Sequence, residues 1–77
     1  MNMSQLQKKA NFTLEVARRV KDHEVDAGPD GERLLQLVDE VKRLRTDNQG
    51  EAADHTEETA YAIAQRIASK YGLTDLL

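Results

Sequence analysis

The 77-residue chain has no cysteine and no tryptophan, one proline, one phenylalanine and two tyrosines. Without cysteine there is no disulfide framework and no thiolate zinc site. No apolar run approaches the ~18–20 residues needed to cross a bilayer as a helix. The opening Met-Asn-Met-Ser-Gln-Leu-Gln-Lys-Lys carries no apolar signal core, so a cytoplasmic location is expected. Positive charge is in slight deficit: 11 Lys and Arg stand against 14 Asp and Glu, a net of −3. Nucleic-acid-binding domains usually carry a basic surplus on one face, which disfavours that class here.

The length allows one domain, residues 1–77. Such a chain buries only about 60% of the surface it exposes when unfolded. An enclosed reaction pocket of about 300 Å³ or more is hard to build inside it. A binding role is therefore expected over catalysis, and dimerisation or docking on a partner is a common source of added stability at this size.

Three stretches repeat apolar residues at helical spacing. The first covers 4–26, with Leu6, Ala10, Thr13, Leu14, Ala17 and Val20 on one side and Phe12, Val16 and His23 beside them. Ser4 suits its N-cap, and Gly28 and Pro29 suit its stop. The second covers 31–45, with Leu34, Leu37, Val38, Val41 and Leu44 as its stripe and Asp30 as a candidate cap. The third covers 56–71. Asp54 and Glu57 have capping-box spacing there. Ala60, Ile63, Ala64, Ile67, Ala68 and Tyr71 make its buried side, and Gly72 followed by Leu73 reads as a left-handed cap. No useful stretch alternates at period two. The expected fold is all-α, an antiparallel three-helix bundle. The first helix, longest at ~33 Å by its rise, overhangs its neighbours and offers a dimer seam.

No motif assembles chemistry. Asp22-x-Glu24-x-Asp26 begins like a calcium loop, but Ala27 stands where glycine is needed and Arg33 where a bidentate Glu is needed. Starting instead at Asp26 places Gly31 correctly and Leu37 at the twelfth position. His23 and His55 are the only histidines and fall at opposite ends of the bundle. Gly28 and Gly31 lack the Lys-Ser/Thr that completes a phosphate loop. No catalytic residue, cofactor or metal ligand is assigned.

The remaining signals point to contact with another protein. Phe12, Val16, Leu35 and Tyr61 lie off the main stripes, either as a contact surface or as a second interior face. Acidic residues crowd both turns. Asp22, Glu24, Asp26, Asp30 and Glu32 surround the first; Asp47, Glu51, Asp54, Glu57 and Glu58 surround the second. Up-down-up topology brings Arg66 and Lys70 near the first group and Lys8, Lys9, Lys42, Arg43 and Arg45 near the second. Candidate partner-binding residues are Phe12, Val16, Leu35, Asp54, Glu57, Glu58 and Tyr61. The expected function is a non-enzymatic regulator or inhibitor acting on another protein, with a homodimer as a further expectation. The alternatives are a structural subunit of a larger assembly, and a nucleic-acid-binding regulator using a basic first helix. The connection from Thr46 to His55 reads as too long for a helix-turn-helix.

Overall fold

A computed structural model of the chain describes residues 5–73, apart from the Leu6 side chain. Ser4, the Leu6 contact and the terminal leucines Leu76 and Leu77 therefore lie outside the described residues. Three helices form: α1 (Gln5–Lys21), α2 (Gly28–Thr46) and α3 (Gly50–Lys70). No strand occurs among the described residues, and the helices pack on one another as a three-helix bundle.

The left-handed turn is the device that ends each helix. His23 and Asn48 take φ near +61°, and Gly72 takes +74°. After α1, the His23 N–H donates to the Val20 carbonyl and the Glu24 N–H to the Arg19 carbonyl. After α2, Asn48 donates to Arg45 and Gln49 to Leu44; after α3, Leu73 donates to Ala68. The reversed pair of bonds closing the first two ends is a Schellman motif, which satisfies carbonyls that a helix end leaves orphaned. Leu73 is buried just past Gly72, giving the apolar contact that accompanies such caps.

Three boundaries differ from the sequence expectation. α1 stops at Lys21 rather than near 26. Continuing it would place Asp22, Glu24 and Asp26 at the negative end of the helix dipole. The left-handed turn at His23 instead lets Val25 and Ala27 drop into the core. Gly28 is left-handed, as its sequence suggests, but with Pro29 it opens α2 rather than closing α1. Proline suits that place because the first-turn N–H groups have no intrahelical partner. Asp30 is not the N-cap; it sits in the first turn of α2.

The other difference is larger. α3 begins at Gly50, not near Thr56, so the α2–α3 connection spans only Asp47, Asn48 and Gln49. Ala53 explains the early start. It is fully buried, and its N–H donates to the Gln49 carbonyl. Asp54 and Glu57 consequently stand inside the helix instead of capping it. Among the described residues α1 is thus the shortest helix, 17 residues against 19 and 21, and it shows no overhang there.

The core is built from small and branched residues. Val16, Leu34 and Ile67 are its largest fully buried side chains, joined by Ala60, Ala64 and Ala68 from α3. Those alanines, four residues apart, give α3 a smooth stripe that admits close neighbours. Thr13 is the one buried polar side chain among the described residues, 2% exposed, and its hydroxyl donates to the Lys9 carbonyl at 2.8 Å. Two stripe positions are corrected: Leu14 is 48% exposed and Tyr71 39% exposed.

Gly31 brings α1 and α2 together. A β-carbon there would lie 2.9 Å from Val20 Cγ1 and 3.2 Å from Ala27 Cβ. Elsewhere α1 and α2 separate, since Leu14 and Val41 line an open hollow between them.

Leu34→Ala should destabilise the fold by about 2–5 kcal/mol, while Leu14→Ala should stay within about 0.5 kcal/mol. Urea denaturation followed by circular dichroism checks both. Equal costs at the two positions would contradict the orientation of α1. His23→Gly should raise stability by about 0.5–1 kcal/mol by relieving a left-handed residue that carries a β-carbon, measured the same way.

Candidate functional site

The early start of α3 reorganises the second acidic turn. Glu51, Asp54 and Glu58 fall at spacings of three and four, so they form one outward stripe on the first turns of α3. All three are exposed. Tyr61 continues the stripe one turn on, half-buried. Its ring takes the edge of Phe12 at 5.6 Å and 75°, and the Lys9 ammonium lies 5.4 Å from its centroid. Its hydroxyl accepts from Gln65 Nε2 at 3.1 Å.

Glu57 faces differently. Arg45, in the last turn of α2, donates to Glu57 and to Asp54, the latter at 3.2 Å. The Glu57 side chain is only 12% exposed, so this pair closes the end of the bundle. Hydrogen bonding to Glu57 leads the interactions that raise the Arg45 pKa above its ordinary value. At the other end of α2, Asp30 meets Arg66 of α3 at 3.2 Å. The opening of each of these two helices therefore lies beside the close of the other.

The apolar candidates separate in the same way. Val16 is 0% exposed and belongs to the core, so it offers no surface to a partner. Phe12 and Leu35 are partly buried and pack against that core. The interior alternative thus describes Val16 fully and the other two in part. Of the seven candidates, Asp54, Glu58 and Tyr61 come together on one side of α3. Glu51 belongs with them; a helix start set at Thr56 had hidden its register.

Two of the five basic residues of α1 are engaged by carboxylates. Arg18 pairs with Glu15 at 2.8 Å and Asp22 at 3.0 Å, with Glu24 at 3.8 Å. Arg19 also reaches Glu15, at 3.4 Å. Hydrogen bonding from Arg18 holds the Glu15 carboxyl below the ordinary glutamate value, and Glu15 raises Arg18 in return. These groups are solvent-exposed, so the network adds little to stability. Its consequence is that two guanidinium groups are already occupied.

The three-residue α2–α3 connection removes linker length as an objection to a helix-turn-helix. Charge remains as the objection: the opening stripe of α3, where such a motif reads bases, is acidic. Two open hollows lie on the α1–α2 seam. One of about 430 Å³ is lined by Ala10, Leu14, Val38, Val41 and Ala60 with Arg45, Asp54 and Glu57 at its end. One of about 670 Å³ lies at the first turn, between Val20, Pro29 and Leu35. Among the described residues no group of three or more metal-ligating side chains converges, and no helix is long and apolar enough to cross a membrane.

No protein family, curated protein or solved structure matches this chain.

Acid titration tests the Arg18–Glu15 pairing. Glu15, depressed in the fold, favours the folded state above its unfolded value and loses that contribution as pH falls through its lowered value. Its carboxyl resonance should titrate below the ordinary glutamate range and move up toward it in Arg18→Met, with Arg19 retaining part of the shift. An unshifted Glu15 would contradict the network.

Proposed function

We propose that this protein is a non-enzymatic regulator or inhibitor that docks on a basic surface of another protein through the acidic stripe of α3. The observation that carries the reading is the division of charge. Arg18, Arg19, Arg45 and Arg66 turn their guanidinium groups onto carboxylates of their own chain. Glu51 and Glu58 stay exposed with no cation among the described residues, and Asp47 at the adjoining turn is likewise open. A surface arranged this way attracts cations and repels phosphate.

Tyr61 adds an aromatic end to the stripe, and tyrosine supplies large contact area at low entropic cost. Electrostatic complementarity of this kind acts mainly on association rate and partner choice. The reading therefore predicts salt-sensitive capture with a modest apolar anchor. It also favours protein over nucleic acid as the target. The guanidinium groups of α1 are engaged, and the start of α3 carries Glu51 and Asp54 where phosphate contacts need donors.

The test is charge reversal. Glu51→Lys with Glu58→Lys should leave the helical spectrum unchanged, because both side chains are exposed and unpaired, and should lower the thermal midpoint slightly, because Glu51 sits in the first turn of α3 where the helix dipole favours a carboxylate. Capture of a protein partner by cross-linking in the native cell extract should fall by at least about tenfold, and rising salt should weaken the wild-type complex. Undiminished capture by the double variant, or tight DNA or RNA binding at low salt, would overturn the reading.

A further inference from the structure

The seam between α1 and α2 has a surface that the acidic stripe does not use. Leu14 is one of only two large hydrophobic side chains exposed among the described residues. It stands on the wall of the open hollow shared with Val38 and Val41. Lys21 lies seven residues further along α1, hence on the same outward stripe. On α2, Glu32, Leu35, Asp39 and Lys42 follow one another at spacings of three, four and three, forming the stripe that flanks the seam. Lys21, Glu32, Asp39 and Lys42 are all exposed, and none has an ion-pair partner among the described residues.

We infer that a second copy of this chain covers the α1–α2 seam, forming a twofold dimer in which α1 of each copy lies on α2 of the other. The charges and levels of the two stripes choose this occupant. Within one copy, Val20 sits against the position of Gly31, so Lys21 is level with Glu32. Leu14 and Val38 line one hollow, so they too are level. A twofold axis running along the seam preserves those levels. It lays the Lys21 ammonium of one copy beside Glu32 of its mate, and the exposed Leu14 beside Val38 and Leu35. Because the interface is isologous, each contact occurs twice. The α1 stripe offers a cation and a leucine; the α2 stripe offers two carboxylates and a leucine, with Lys42 at its far end. The surface is thus complementary to itself.

This seam differs from the one expected from sequence. Val16 is interior and Phe12 faces Tyr61, so neither can carry it. The dimer leaves Glu51 and Glu58 on another face, and it stands or falls apart from the proposed partner binding.

Sedimentation velocity of the full chain, over concentrations up to about 1 mM, tests the inference. The expected result is a concentration-dependent monomer–dimer equilibrium. Leu14→Asp should give a monomer with an unchanged helical spectrum, since that side chain is half exposed. Lys21→Glu and Glu32→Lys should each weaken the dimer by at least about tenfold, and the two combined should restore it to within a few-fold of wild type. The swap keeps the inference testable even if Leu14→Asp proves less well folded. A chain that stays monomeric throughout, a dimer indifferent to Leu14→Asp, or single reversals that fail to rescue each other would overturn it.

Discussion

The approach of α1 to α2 at Gly31 is the constraint on which the exposed surfaces depend. A glycine there brings the Val20 side chain to within contact of the α2 backbone, and any β-carbon would push the two helices apart. α1 is held at that point, and further along Leu14 and Val41 face an unfilled hollow that Ala60 of α3 also lines. Had the close approach been midway along the helices, the space at each end would be smaller and Leu14 would have a neighbour. One small residue therefore sets both the tight end of the seam and the open one. Alanine performs a comparable service on α3, where Ala60, Ala64 and Ala68 are buried with little volume of their own. The core is consequently thin, and little apolar material lies beneath the surface to absorb a poor substitution.

Charge is organised by the same geometry. Each end of α2 is tied to α3 by ion pairs, Asp30 to Arg66 at one and Arg45 to Glu57 and Asp54 at the other. The pair at Arg45 is the more sheltered because the Glu57 side chain is largely covered. Removing Arg45 would leave a desolvated carboxylate facing the groove, whereas removing Arg66 would free a partner already in contact with water. These pairs help little as isolated contacts at the surface. Their greater effect is local: they engage Arg45 and Arg66 with carboxylates of the same chain, while Glu51 and Glu58 on α3 have no such partner among the described residues.

Much of the fold is legible in the chain because apolar spacing and cap chemistry agree. The stripes of α2 and α3, the Gly72 cap and the Leu73 contact follow from residue type alone. The α1 stop does not, since Gly28 and Pro29 form the stronger local signal and His23 is a rarer occupant of a left-handed site. Its spacing is nevertheless informative: a cluster of acids at 22–26 is poor material for a helix C-terminus. The start of α3 is obscured for the opposite reason. Asp54 and Glu57 have capping-box spacing, yet burial of Ala53 and the reach of Arg45 draw both into the helix. Tertiary contact outweighs the local motif, and with six more residues in α3 the register of Glu51 becomes visible. Leu14 shows the limit of a stripe read on one helix alone. A helical period identifies an apolar face, but only the angle to the neighbouring helix decides which edge of that face is covered.

The two surfaces follow different physics, which is why they are separable. The acidic stripe, in the proposed partner binding, would work at a distance: screening by salt would weaken it, and its contribution would be to encounter and selection. The seam, as proposed, works at contact, through removal of Leu14 and Leu35 from water, with salt acting only on its Lys21–Glu32 pairs. A small domain gains from the second kind in a further way. Anything that binds the folded form and not the unfolded one raises apparent stability by mass action. Closing the seam would thus reinforce the thin core it lies against, while the stripe on α3 stays outside that transaction and free to meet a different molecule. Occupancy of the seam would also hold two acidic stripes on one particle, so that a target with paired basic patches would be engaged at raised effective concentration.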